Sequence, residues 1–200
     1  MLEECAWGHT RRETQQMFEV LPGMLARAGI GIAAVDLFAA GLGPGSFSGS
    51  RMAVAAARAF ALPGRKQAVG ISSGEALAHD LLLKTRADTV VIVGNARRGQ
   101  VWHAAFGRGN MRPAMHGTWA LQPVDRLAAI LPAGATVAGP DWDQLSDVLK
   151  AAGRERVCLV EENCYPSAAG VGTLAVRSVG MEQPVDGMLP IYLHPAVGAH

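Results

Sequence analysis

Apolar positions along the chain fall into helical and strand periods that alternate from end to end. Met17, Phe18, Leu21, Met24, Leu25 and Ala28 form a wide stripe on a helix expected from about Arg12 to Ala28. Thr10 is its expected cap, Glu13 lies in its first turn, and Pro22 inside it removes one backbone hydrogen bond and predicts a kink. Val35, Leu37, Phe38 and Leu42, separated by small residues, read as a strand covered on both faces. Gly41, Gly43 and Gly45 around Pro44 then predict a sharp turn. An alanine-rich helix from Ser50 to Ala61 follows, with Ala53, Ala57 and Phe60/Ala61 at helical spacing and Pro63-Gly64 as its stop.

Further on, the pattern predicts a strand at Gln67 to Ile71 and a helix at Ser72 to Lys84, with Leu77, Leu81 and Leu82 turned inward. Thr89 to Gly94 and Gln100 to Phe106 flank Asn95-Ala-Arg-Arg-Gly99 as a hairpin. Gly107 to Met115 reads as a mobile loop and Trp119 to Leu121 as a short strand. Helices are expected at Pro123 to Leu131 and, capped by Asp141, at Trp142 to Ala152, flanking a strand at Thr136 to Ala138. A strand at Arg156 to Val160, a helix opened by Pro166 and reaching Ser178, a strand at Leu189 to Leu193 and a tail from Pro195 to His200 complete an α/β chain.

Composition narrows the function classes. The 18 basic and 17 acidic residues leave a net charge of +1, so no global field draws the chain to nucleic acid or an acidic membrane, and any RNA contact must be local. Cys5, Cys158 and Cys164 form no C-x-x-C pair and suit free thiols in a reducing compartment. Met1 to Glu4 lacks a basic leader region, and Arg27, Asp36 and several glycines interrupt the longest apolar stretch, so a cytoplasmic protein with no membrane span is expected. His9, His79, His103, His116, His194 and His200 show neither H-E-x-x-H nor an i, i+4 pair, so no metal site is expected. His79 reads as a surface or half-buried residue, and no cofactor is expected.

Two stretches carry candidate chemistry. Gly43, Gly45, Ser46, Ser48 and Gly49 sit where a glycine-rich turn opens a helix, a place where Ser46 or Ser48 caps and free N–H groups can hold an anion. The phosphate-loop spacing fails, because Gly45 and Gly49 are one residue too close and no Lys-Ser/Thr follows, and the dinucleotide fingerprint lacks its third glycine. A structural turn is therefore the favoured reading. Gly70-Ile-Ser72-Ser-Gly74 matches the nucleophile-elbow pattern, which gives a rival reading as a serine hydrolase with Ser72, an acid at Asp141 or Asp186, and His194. At the hairpin tip, Arg97 and Arg98 are candidates to meet RNA phosphate or a partner carboxylate.

Gly43-Pro-Gly-Ser-Phe-Ser-Gly-Ser-Arg51 before an alanine-rich helix, then Ser72-Ser-Gly-Glu-Ala-Leu77, resembles the bacterial TsaB (YeaZ) family, whose members read GPGSFTG-hydrophobic-R and SSLEAL. Val91 to Trp102 resembles the family's apolar strand and D-A-R-x-G-E-V-Y turn, with Asn95 where an Asp is usual. His9 to Gly29 and Leu189-Pro-Ile-Tyr-Leu-His194 add weaker matches. The resemblance implies an actin/Hsp70-like (ribonuclease H-like) two-lobe fold, divided here at residues 1–86 and 87–200. It implies a non-catalytic scaffold subunit for N6-threonylcarbamoyladenosine at position 37 of tRNA, docking a TsaD-type catalytic subunit beside a TsaE-type ATPase, touching tRNA indirectly and pairing with itself in isolation. The implied docking face combines the first helix and the alanine-rich one through Met17, Leu21, Met24, Arg51, Val54, Ala57 and Arg58. A self-associating paralogue with no tRNA role is the alternative.

Family members begin with a hairpin and a third strand carrying Asp-Thr, for which the residues before this first helix have no equivalent. A truncated first lobe with an exposed strand edge is the expectation, either in a shortened relative or in a longer reading frame.

Overall fold

The computed structural model describes residues 2–7, 13–153, 155–179 and 188–193, the side chains of 13–15 aside. Helix α1 (Glu13–Arg27) and a single 3₁₀ turn (Ile32–Ala34) lead into strand β1 (Leu37–Gly41) and helix α2 (Phe47–Ala61). Strand β2 (Gln67–Ile71) and helix α3 (Ser73–Lys84) follow. Next come β3 (Thr89–Arg97), β4 (Gln100–Gly107), β5 (Ala114–Pro123) and the one-turn helix α4 (Leu127–Ile130). The last elements are β6 (Thr136–Gly139), α5 (Trp142–Gly153), β7 (Cys158–Asn163) and α6 (Ala168–Val179). The expected cap Thr10 and the tail from Pro195 lie outside the described residues.

Two sheets organise these elements. In the first, β1 and β2 run parallel, Leu37 opposite Gln67 through Gly41 opposite Ile71. In the second, the order is β5-β4-β3-β6-β7, with β3, β4 and β5 antiparallel and β6 and β7 parallel to β3. Side-chain alternation separates the faces. Phe38, Ala40 and Ala68 meet Val54 and Ala57 of α2 on one side of the small sheet. On its other side Leu37, Ala39, Val69 and Ile71 meet Leu174 and Ala175 of α6.

The larger sheet is covered in the same way. Val90, Ile92, Trp102, Ala104 and Phe106 face Leu77, Ala78, Leu81 and Leu82 of α3, while Val91, Val93, Val101 and Val137 face Leu145 and Leu149 of α5. Helices α3 and α6, which touch each other, thus lie between the two sheets. Burying each leucine or valine removes surface worth about 1.5–3 kcal/mol per side chain.

Several elements differ from their expected form for identifiable reasons. β1 is only half-buried, since among the described residues it pairs with β2 alone. β5 is an edge strand with exposed His116, Gly117 and Thr118, so its sequence shows little periodicity, and it runs well beyond Trp119–Leu121. The region before Pro132 forms one 3₁₀ turn and one α turn rather than a helix from Pro123. β7 begins at Cys158, two residues later than expected, and residues 188–193 form no strand, the Ile191 N–H bonding the carbonyl of Leu42 just past β1 (2.8 Å). Asp141 precedes α5, its carbonyl accepting from the Gln144 and Leu145 N–H groups (both 3.0 Å), while its carboxylate accepts from the Asn95 N–H (2.7 Å).

The β4–β5 connection is anchored, not loose. Arg112 donates two bonds of 2.7 Å to the Glu75 carboxylate and one of 2.8 Å to Ser178 Oγ, while Arg177 donates to the Met111 carbonyl (2.6 Å). The Glu75 bonds hold the Arg112 guanidinium above its usual pKa despite the opposing effect of burial. Because Glu75 keeps only 12 % of its side chain exposed, Arg112→Ala leaves a carboxylate without its cation. The expected loss is about 3 kcal/mol, a fall of about 6–12 °C in melting temperature by circular dichroism. An unchanged melt contradicts the anchoring role.

Candidate functional site

The glycine-rich turn is fastened to the start of α3. Gly43, at φ +89° before a cis Pro44 peptide, donates its N–H to Ser73 Oγ (3.1 Å). Its carbonyl accepts from the Ser73 N–H (2.8 Å) and from Ser72 Oγ (3.2 Å). The GPGS and SSGE stretches are therefore two halves of one contact. Ser46 caps α2, accepting from the Gly49 N–H at 3.2 Å, while Ser48 is exposed within the first turn. The N–H groups of Gly43 and Gly49 are thus already committed to serine hydroxyls. Gly45 has an ordinary φ and open space where a Cβ would stand, whereas Gly43 sits at positive φ and a Cβ at Gly41 would stand 2.7 Å from Ser73 Oγ.

The nucleophile reading of Ser72 fails on geometry. Its φ is −57°, without the strain of an elbow, and its hydroxyl caps α3 by accepting from the Glu75 N–H (3.4 Å) while donating to the Gly43 carbonyl. The acid Asp141 is engaged with Asn95, and Asp186 and His194 lie outside the described residues.

No group of three residues placed to hold a metal occurs among the described residues. His9, His194 and His200 fall outside them. His79 is buried at 7 % exposure rather than half-exposed, with Nε2 3.3 Å from the Arg177 guanidinium and Nδ1 without a hydrogen-bond partner among the described residues. At His103 burial lowers the pKa, and its buried Nε2 has no hydrogen-bond partner among the described residues. A cleft of about 560 Å³ lies beside Gly41, Ser73 and the start of α6. Glu4, which lines it, is already engaged at the start of α6, accepting from the N–H groups of Ala168 (2.7 Å) and Ala169 (3.3 Å).

The expected docking residues separate into two groups. Val54 and Ala57, 7 % and 6 % exposed, belong to the core under β1 and β2 and are unavailable to a partner, because the small sheet needs that helix face for its own cover. Met17, Leu21 and Met24 are half-exposed on α1, and Arg51 and Arg58 are exposed on α2. Phe18, at 51 % exposure, meets Phe60 edge to face at 6.0 Å and so ties α1 to α2. At the β3–β4 tip, Arg97 and Arg98 are exposed at φ +65° and +50°, and their side chains have no partner among the described residues. Asn95 braces that tip by donating to Gln144 Oε1 (2.7 Å) and accepting from the Arg97 N–H (2.7 Å).

The sequence model of the family described as TsaD, tRNA N6-adenosine threonylcarbamoyltransferase, matches residues 9–169. Two curated relatives bear the name tRNA threonylcarbamoyladenosine biosynthesis protein TsaB. The one from Escherichia coli is 26 % identical over 92 % of this chain and 81 % of its own length, and the one from Haemophilus influenzae is 30 % identical over 51 % and 43 %. The chain belongs to the TsaD family, in its TsaB/YeaZ branch. A solved structure of YeaZ from Pseudomonas aeruginosa superposes with a TM-score of 0.75 at 24 % identity, over 92 % of this chain and 85 % of that one. A second, titled as an uncharacterized protein with similarity to peptidase YEAZ from Pseudomonas aeruginosa, gives 0.74 at 24 % identity, over the same shares. These likenesses establish the actin/Hsp70-like fold for this TsaB/YeaZ-branch chain.

Two features escaped sequence reading. The Glu75–Arg112–Ser178 cluster joins residues 37 and 66 positions apart, a separation that leaves no local signal. The tilted ring contact of Phe47 with Tyr192, 145 positions downstream, was equally invisible, although both residues lie inside the quoted family motifs.

Proposed function

We propose that this chain is a non-catalytic subunit of tRNA N6-threonylcarbamoyladenosine (A37) biosynthesis, docking a TsaD-type catalytic subunit through α1 and the exposed side of α2. A TsaE-type ATPase completes the assembly, tRNA is met indirectly, and the site of action is the cytoplasm. No described helix is long and apolar enough to cross a membrane. The observation that carries the reading is the α1 stripe: Met17, Val20, Leu21, Met24 and Leu25 all stay partly exposed, and Phe18 more than half, on a helix whose register is otherwise that of a buried face.

A partner built on the same fold can present a matching helix pair, giving a pseudo-twofold contact in place of an isologous one. In isolation the stripe pairs two copies of this chain. The β1–β2 sheet and its covering helices form the unit that supplies the docking surface, with Arg97 and Arg98 at the β3–β4 tip free to meet RNA phosphate or a partner carboxylate.

The test is to mix the full chain with the TsaD-type subunit of the same cell and follow size by gel filtration with light scattering. A 1:1 complex formed at the expense of any homodimer is expected. Two species that elute independently at micromolar concentration overturn the reading.

A further inference from the structure

We infer that an exposed aromatic and arginine patch, made by Phe47, Arg51, Leu189 and Tyr192, is the energetic centre of that docking surface and receives an apolar side chain flanked by carboxylates on the catalytic partner. The inference rests on the function proposed above and deepens it, because the patch unites the start of α2 with residues 188–193, a segment remote in sequence from both docking helices. Phe47 and Tyr192 keep 56 % and 49 % of their surface exposed, yet their rings lie against each other with centroids 5.0 Å apart. The Arg51 guanidinium sits 4.7 Å above the Phe47 ring. Such a cation over an aromatic face contributes about 0.5–1 kcal/mol at an exposed site and holds the planar fork in place for a carboxylate.

The patch is held rigid from beneath. Met188 is buried with Val54 and Ala57, its carbonyl accepts from Arg58 (3.4 Å), and the Ile191 N–H bonds the Leu42 carbonyl (2.8 Å). The segment therefore turns Met188 and Ile191 inward and leaves Leu189, 69 % exposed, and Tyr192 outward. Large apolar residues that face solvent from an anchored backbone lose little conformational freedom on binding. Aromatic residues and arginine are the types enriched at interface hot spots.

Charge selects the occupant. Helix α2 carries Arg51 and Arg58 with no Asp or Glu from Phe47 to Ala61, and residues 188–193 are uncharged. A second copy meeting this patch about a twofold axis brings arginine against arginine, which is unfavourable, whereas a carboxylate-bearing partner neutralises both.

Isothermal titration of the full chain with the TsaD-type subunit decides the point. Phe47→Ala and Tyr192→Ala are each expected to weaken binding about thirtyfold. Arg51→Glu should weaken it further and remove most of the salt dependence, while Leu189→Ser, at a site where truncation cannot disturb the core, should cost about tenfold. Binding within threefold of wild type in all four variants, with Leu21→Glu on α1 abolishing it, overturns the patch and leaves the docking helices standing. Variants that break only a homodimer overturn it in favour of a second copy. A wild-type chain that binds no catalytic subunit removes both the patch and the reading beneath it.

Discussion

Gly139→Ala is expected to cost about 4 kcal/mol or more, lowering the melting temperature by about 10 °C or preventing folding. Gly139 ends β6 where that strand runs beside β3, and a Cβ built there overlaps the carbonyl oxygen of Val93 outright. The obstacle is backbone, not the end of a flexible side chain, so relief requires parting the two central strands of the larger sheet. Val91, Val93 and Val137, each at most 1 % exposed, would lose their packing against α5 in the process. Gly45→Ala is the matching control: nothing stands within 4 Å of its Cβ position and its φ is ordinary, so its melt should stay within about 2 °C of wild type or rise slightly. Equal melts for both alanine variants contradict the close approach of β3 and β6.

Charging the α1 stripe has the largest expected effect on association. Leu21→Glu places a carboxylate amid Met17, Phe18, Met24 and Leu25, where the free chain tolerates it because Leu21 is already half-exposed. A partner covering the stripe strips water from that charge without offering it a cation, a penalty of about 3 kcal/mol or more, and binding to a TsaD-type subunit should weaken by at least about a hundredfold. Ala26→Glu, at an exposed position of the same helix outside the stripe, should bind within about threefold of wild type. Loss in both variants signals a general electrostatic effect, and loss in neither places the interface elsewhere.

The sequence was most legible where local pattern and tertiary burial agree. The runs Thr89 to Gly94 and Gln100 to Phe106 became the central β3–β4 pair, and the helix expected at Trp142 to Ala152 became α5. Periodicity failed at β5, an edge strand with no buried residue, and at Arg112, whose partners lie 37 and 66 positions away. It also misplaced Val54 and Ala57. Small residues at helical spacing announce close packing but not the identity of the neighbour, and here the neighbour is the chain's own β1–β2 sheet. The glycine-rich turn illustrates the same ambiguity. Its composition suits an anion, yet the N–H groups of Gly43 and Gly49 are spent on Ser73 and Ser46.

Mass-spectrometric quantification of threonylcarbamoyladenosine in tRNA, from cells whose own TsaB-type subunit has been depleted, tests the central claim most directly. With the wild-type chain supplied, the modified nucleoside should return to most of its normal level. With Leu21→Glu supplied at equal abundance it should stay near the depleted level, and Ser72→Ala, which removes a helix cap and one of the two bonds that the Gly43 carbonyl accepts, should restore it. Equal restoration by wild type and Leu21→Glu, or loss of restoration with Ser72→Ala at unchanged abundance, would contradict a subunit that works through its docking surface.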